Sequence, residues 1–115
     1  MPTAGQMLRN DVVTCTLEDP VGEVKKRIAD SRYGFALVTG ADNVVLGRLR
    51  RSALDCDPDL RAEEVMEEGP STTRPDKPAR ELASSLAERE LRYAVITTPE
   101  GRLLGVACRE DLERV

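Results

Sequence analysis

The sequence predicts an α+β fold built from two copies of one β-α-β-β-α unit. Shifted by 58 residues, Val21–Leu54 aligns without a gap on Ala79–Leu112, and eight of the 34 pairs are identical. Each copy also holds a proline-led amphipathic segment followed by two short apolar segments around a turn. A repeat of this length cannot bury its own apolar face. The copies, residues 1–57 and 58–115, are therefore expected to pack through their sheets about a pseudo-twofold axis, with a cleft along the seam.

The composition limits the classes of function. The 115-residue chain has no histidine, and the absence of the commonest general base and metal ligand argues against an enzyme and against a metal site. The three cysteines, Cys15, Cys56 and Cys108, are widely spaced and form no CxxC motif. This pattern disfavours zinc sites and disulfide frameworks and favours a reducing, cytoplasmic location.

Charge and hydropathy disfavour nucleic acid and membrane as partners. The net charge is −4 and aromatic residues make up 3% of the chain, which disfavours nucleic-acid binding. No apolar run approaches the roughly 18 residues of a membrane span. The first residues lack the apolar core of a signal peptide, so no membrane association is expected.

The first copy is predicted to contain a lead-in helix, a strand, an amphipathic helix, two strands around a turn, and a closing helix. Val21, Val24 and Ile28 recur at helical spacing. Asp19 is expected to cap this helix, with Pro20 at its first position. The elements are expected at Ala4–Arg9, Asp11–Thr16, Asp19 to about Ser31–Gly34, Phe35–Thr39, Val44–Leu49 and Arg50–Asp55, with the turn at Gly40–Asn43.

The second copy is predicted to repeat this order after a polar linker, Asp55–Arg61. Its main helix is expected to begin at Pro78, and its tight turn lies at Pro99–Gly101. The other elements are expected at Ala62–Glu68 (lead-in helix), Ser71–Arg74, Arg92–Thr97 and Arg102–Cys108 (strands) and Arg109–Arg114 (closing helix).

The second copy carries the residues of a family resemblance. Its segment YAVITTPEGRLLGVACREDLERV resembles the second half of a cystathionine-β-synthase (CBS) domain, in which a strand ends in Gly-hydrophobic-hydrophobic-(Ser/Thr)-x-x-Asp before a closing helix. Thr72–Asp76 resembles the short strand and turn before the first helix of that domain. The first copy resembles the same unit more loosely. The chain is thus similar to a tandem CBS pair, also called a Bateman module.

The resemblance implies a regulatory module that does no chemistry itself. Such pairs commonly bind AMP, ADP, ATP or S-adenosylmethionine in the cleft between the repeats, without an obligatory cofactor. Many assemble into a flat disc of four repeats, so a homodimer is expected, together with an unknown effector protein that is regulated in trans. The alternative that stays open is a structural or dimerisation CBS module with no small-molecule ligand.

Asp111 is the foremost candidate for ligand binding. The resemblance implies that its carboxylate accepts hydrogen bonds from ribose hydroxyls, and two carboxylate oxygens suit a cis-diol. The alternative is an acidic residue placed in the first turn of a helix, where the dipole favours it. Cys108 stands where the family has Ser or Thr; it is either a weak ligand donor or a small buried residue at a strand end.

The other candidates share a predicted position near the cleft. The resemblance implies a basic residue that faces the phosphates at the position of Arg92, for which the alternative is a solvated surface arginine. Two further arginines near the cleft are candidates because a planar guanidinium suits phosphate. The threonine pair resembles the segment that meets the base, and the two residues after Arg92 complete the set. These candidates are Arg92, Arg109 and Arg50, then Thr72 and Thr73, then Tyr93 and Ala94.

The first copy departs from the family pattern. Ala53 stands at the position that matches Asp111, so this copy has lost the ribose acceptor. The arginine cluster Arg48, Arg50 and Arg51 could attract a polyphosphate or an acidic partner. The alternative for such a charge run is a solvated face.

Overall fold

The structure, a computed structural model, describes residues 2–114 and divides into two compact units. The central unit comprises Asp11–Pro70, and the C-terminal unit combines the residues up to Asn10 with those from Ser71 onward. Each unit contains one four-stranded sheet with helices, so the α+β class is confirmed. The lead-in segment of the first copy, Ala4–Arg9, belongs to the C-terminal unit. The lead-in segment of the second copy, Ala62–Glu68, belongs to the central unit.

The main helix of each copy and the strands before and after it follow one another in the predicted order. The strands are β1 (Leu8–Arg9), β2 (Val13–Cys15), β3 (Phe35–Thr39), β4 (Val45–Arg50), β5 (Glu67–Glu68), β6 (Thr72–Thr73), β7 (Tyr93–Thr97) and β8 (Leu103–Cys108). The helices are α1 (Val21–Ala29), α2 (Ala62–Val65), α3 (Ala79–Glu88) and α4 (Arg109–Glu113). Short 3₁₀ turns lie at Ala4–Met7, Ala41–Asn43 and Arg51–Ala53.

The central unit has the sheet order β2-β3-β4-β5. The strands β2 and β3 are parallel and are joined through α1, whereas the other neighbours are antiparallel. The helical spacing noted in the sequence buries Val21, Val24 and Ile28 against Val38 and Leu49 of the sheet. This burial confirms the amphipathic helix and gives the unit its own apolar core.

The C-terminal unit repeats this arrangement with the order β1-β8-β7-β6. The parallel pair is β6 and β7, joined through α3. The core contains Leu82 and Leu86 of α3, Ile96 of β7 and Leu112 of α4. Because Leu112 is fully buried in this core, it holds α4 against the rest of the unit.

The lead-in segments were predicted as helices, and this prediction is wrong for the last two residues of each segment. After the 3₁₀ turn Ala4–Met7, the chain becomes the edge strand β1, which pairs with β8. After α2, it becomes β5, which pairs with β4. The partner strand lies far away in the sequence, so tertiary pairing overrides the local helical pattern.

Two smaller predictions also need correction. The helix α1 begins at Val21 with Pro20 as its N-cap residue, because Pro20 has an extended ψ of 135°. The Asp19 carboxylate instead accepts a hydrogen bond from the backbone N–H of Thr16 (2.9 Å). The closing helix expected at Arg50–Asp55 is only a 3₁₀ turn, since β4 continues through Arg50.

Candidate functional site

Asp111 lies in the first turn of α4 and is bound by Arg9 of β1. The Nε of Arg9 donates to Oδ2 of Asp111 at 2.8 Å, and its Nη2 donates to Oδ1 at 3.0 Å. The two side chains are 34% and 20% exposed. A bidentate arginine–carboxylate pair fixes geometry as well as charge, so the carboxylate predicted to meet ribose is held in one orientation.

Sequence reasoning missed Arg9. The residue lies 102 positions from Asp111, in a segment that was predicted as a helix. Its place follows from the pairing of β1 with β8, in which Arg9 stands opposite Val106. No local sequence pattern around residue 9 predicts this pairing, because β1 is a strand only through its hydrogen bonds to β8, which is distant in the sequence.

Four of the predicted ligand residues line one cavity of about 370 Å³. They meet because Tyr93 pairs with Cys108 across β7 and β8, and because the N–H of Arg109 donates to the carbonyl of Arg92 at 2.8 Å. The lining residues are Arg92, Tyr93, Cys108, Arg109, Glu110 and Glu113.

The charges of this cavity are mixed. Arg92 and Arg109 could each bind a phosphate oxygen, but Glu110 and Glu113 offset them. The Nε of Arg109 lies 3.8 Å from Oε1 of Glu113. An anion would therefore have to compete with a carboxylate that is already near one of the two guanidinium groups.

Asp111 does not line this cavity. Residues two positions apart on a helix do not share a face, so Arg109 and Asp111 leave α4 in different directions. Arg109 turns to the cavity and Asp111 to Arg9 of β1. The C-terminal unit thus brings Arg92 and Arg109 together but separates the cavity that they line from the predicted ribose acceptor, Asp111.

Thr72 and Thr73 line a different cavity of about 510 Å³, beside the start of α3. Arg74 donates to the hydroxyl of Thr72 and to the carbonyl of Thr98, which ties β6 to the turn after β7. The same cavity is lined by Lys77, Ser85 and Arg89. Its basic and hydroxyl groups were not singled out in the sequence, apart from the threonine pair.

Two of the candidates have largely covered side chains. Ala94 is 6% exposed and belongs to the apolar core, so only its backbone could meet a ligand. Cys108 is 7% exposed, in keeping with the small buried strand-end residue that was its alternative. The ligand-binding roles of both residues stay predictions.

Arg50 lies in the central unit, at the end of β4. Its Nε forms an ion pair with Oε1 of Glu67 at 2.7 Å, and Nη2 of Arg48 lies 3.5 Å from Oε2 of the same residue. Two members of the predicted arginine cluster are therefore matched by one carboxylate across β4 and β5. The predicted contact of Arg50 with a ligand stays a prediction.

Neither a metal centre nor a membrane span is found in residues 2–114. Among these residues, no group of three or more His, Cys, Asp or Glu side chains is placed to hold a metal ion. Within the same range, no helix has both the length and the apolar character needed to cross a bilayer.

Solved structures share this fold. The CBS domains of a transcriptional regulator from Streptococcus pneumoniae are 16% identical, with a TM-score of 0.88 over 100% of this chain and 99% of that one. The CBS domain protein PAE2072 from Pyrobaculum aerophilum, complexed with AMP, is 20% identical, with a TM-score of 0.78 over 95% and 88%.

A third similar structure is the cytosolic domain of the Mg²⁺ channel MgtE in complex with ATP. It is 23% identical, with a TM-score of 0.85 over 98% of this chain. The chain spans only about half of that domain, 48% of its length. A search of curated proteins finds no match to the sequence.

The family itself is identified from the sequence. The CBS domain profile matches residues 4–54 and again residues 62–115. These two matches cover nearly the whole chain. With the two α+β units described above, they show that the chain belongs to the CBS domain family and contains a tandem CBS pair.

Proposed function

We propose that this CBS pair is a regulatory module that binds an adenosine-containing nucleotide through its C-terminal unit, with Asp111 as the ribose acceptor. The observation that carries the proposal is the carboxylate of Asp111, which is 20% exposed and oriented by Arg9. The ligand class is supported by the relatives solved with ATP and with AMP. S-adenosylmethionine carries the same ribose and belongs in the same test.

The proposed division of roles follows the chemistry of the side chains. A carboxylate can accept about four hydrogen bonds, so it can serve both hydroxyls of a cis-diol. Arg92 and Arg109, which line a cavity at the N-terminal end of α4, are the phosphate candidates. Thr72 and Thr73 are the candidates for the base.

One site for each chain is proposed. The position that matches Asp111 in the first copy is Ala53, in the 3₁₀ turn after β4. A methyl group cannot accept a hydrogen bond, so the central unit lacks this ribose acceptor. The signal would pass through a homodimer to an effector in trans. A cytoplasmic location is supported by the cytosolic relative and by the three free cysteines.

The proposal is tested by calorimetric titration with AMP, ADP, ATP and S-adenosylmethionine. A ligand at 100 times its dissociation constant should add about 2.7 kcal/mol of stability, a rise of several degrees in Tm. Asp111→Ala should abolish binding. Glu88→Gln, at an exposed position at the end of α3, is the control for the loss of one negative charge in the same unit.

Two results would reject the proposal. An unchanged nucleotide affinity in Asp111→Ala would show that Asp111 is not the ribose acceptor. If no nucleotide raises the Tm, and light scattering shows a stable dimer, the chain is the structural or dimerisation module that the sequence left open. The degraded motif of the first copy and Cys108 at the usual Ser/Thr position are the features that favour this second candidate.

A further inference from the structure

The Arg9–Asp111 pair connects the proposed ligand acceptor to the point where the chain leaves the C-terminal unit. Arg9 is the last residue of β1, and the chain passes into the central unit between Asn10 and Asp11. Asp11 is anchored within the central unit, since it accepts a hydrogen bond from Tyr33 and pairs with Arg32 at 3.0 Å. The crossover therefore has an ionic anchor on each side.

The anchor on the C-terminal side uses both oxygens of the residue proposed to bind ribose. Arg9 approaches Asp111 with two N–H donors in one plane. The two hydroxyls of a ribose would approach the same two oxygens as donors. A guanidinium fork and a cis-diol thus offer the carboxylate the same kind of contact at the same two oxygen atoms.

We infer that Arg9 competes with the ribose hydroxyls for Asp111, so that ligand binding releases the side-chain anchor of β1. The inference deepens the proposed function and rests on it. Arg9 is in this account a positioning residue that sets both the affinity for the nucleotide and the hold on the crossover. The strand β1 has only two residues, and the ion pair adds a side-chain contact to its backbone pairing with β8.

The test compares wild-type protein with Arg9→Gln and Arg9→Lys by calorimetry, using AMP and 2′,3′-dideoxy-AMP. Arg9→Gln should bind AMP about fivefold more tightly, because a partly exposed ion pair is worth at most about 1 kcal/mol. Arg9→Lys keeps the charge but loses the bidentate fork, so its affinity for AMP should lie between those of wild type and Arg9→Gln. Arg80→Gln, which removes an exposed arginine of α3, controls for net charge.

The dideoxy nucleotide separates competition from a general structural effect. It has no hydroxyls for Asp111, so its affinity should be equal in wild type and Arg9→Gln. An equal gain for both nucleotides would overturn the inference, as would AMP binding to Arg9→Gln that is unchanged or weaker than in wild type. If Arg9→Gln does not fold by circular dichroism, Arg9→Lys decides by the same criteria.

The outcome also separates this inference from the proposed function. If wild type and Arg9→Gln both bind AMP equally, the nucleotide site stands and the competition is rejected. If wild type, Arg9→Gln and Arg9→Lys all fail to bind AMP, ADP, ATP and S-adenosylmethionine, the proposed function is rejected and the inference is rejected with it. Binding seen only after replacement of Arg9 would support both.

Discussion

The backbone of Gly105 lies against the carbonyl group of Arg9. A Cβ atom built at Gly105 would stand 2.8 Å from that oxygen, and the φ of this glycine is +153°. At its counterpart Gly47, a Cβ atom would stand 2.9 Å from the carbonyl oxygen of Glu67 and would also meet the side chain of Met66. The glycine that is identical in the two copies therefore leaves room for an edge strand. At Gly105 this strand is β1, which lies against β8, and at Gly47 it is β5, which lies against β4.

Replacing Gly105 by alanine should destabilise the protein. The new methyl group meets backbone rather than a flexible side chain, so relief requires β1 to move, at a cost of about 1–3 kcal/mol. Urea denaturation measures the loss. Gly34→Ala is the control, because nothing lies within 4 Å of a Cβ atom at that position. Equal stability of the two variants would contradict the close approach of β1 to β8.

Replacing Glu67 by glutamine should weaken the pairing of β4 and β5. This carboxylate faces Arg50 at 2.7 Å and Arg48 at 3.5 Å, and Nε of Arg48 is buried without a hydrogen-bond partner among the described residues. We expect a loss of about 1 kcal/mol, the upper end for partly exposed ion pairs. Chemical denaturation provides the measurement.

The neighbouring residue Glu68 supplies the matched control for Glu67. It is exposed and lies on the same two-residue strand. Glu68→Gln should change the free energy of unfolding by less than about 0.5 kcal/mol. A similar loss in both variants would mean that Arg48 and Arg50 gain no specific stabilisation from Glu67, and the solvated-face interpretation would then hold for these two arginines.

The stability of the protein should fall between pH 9 and pH 11 because of Cys15. Burial, with a smaller effect of Asp19, raises the pKa of the Cys15 thiol from 9.0 to about 11. Below pH 9 the thiol is protonated in both states. Above it the unfolded chain loses this proton while the folded chain retains it, so the free energy of unfolding falls by about 2 kcal/mol across this window.

The pH effect is isolated by two cysteine variants. Cys15→Ala should show a shallower decline in unfolding free energy from pH 9 to pH 11 than wild type, because the group that retains its proton is gone. Cys56→Ala, at an exposed position, should follow the wild-type curve. Parallel curves for wild type and Cys15→Ala would show that burial does not hold this thiol protonated.

Local periodicity was enough to predict the central part of each copy. The strand Phe35–Thr39 and the buried face of α1 follow from apolar spacing alone, and the repeat transfers the same elements to the second copy. In these segments the burial of each side chain is decided by neighbours that are close in the sequence. The pattern and the structure therefore agree almost residue by residue.

The exchanged lead-in strands could not be predicted in this way. β1 and β5 have two residues each, too few for a period-2 pattern, and their partners lie in the other sequence copy. The same non-locality hid the ion pair of Arg9 with Asp111. The position of Asp111 in the first turn of α4 was predicted, but the residue that orients it depends on a strand that only the folded chain assembles.

The most direct test of the nucleotide site is a crystal structure of the protein with AMP. In this complex we expect the ribose hydroxyls to lie within about 3 Å of the Asp111 carboxylate oxygens, the normal length of an O–H···O hydrogen bond. We also expect the Arg9 side chain to have left this position. AMP bound elsewhere, with the Arg9–Asp111 pair intact, would contradict it.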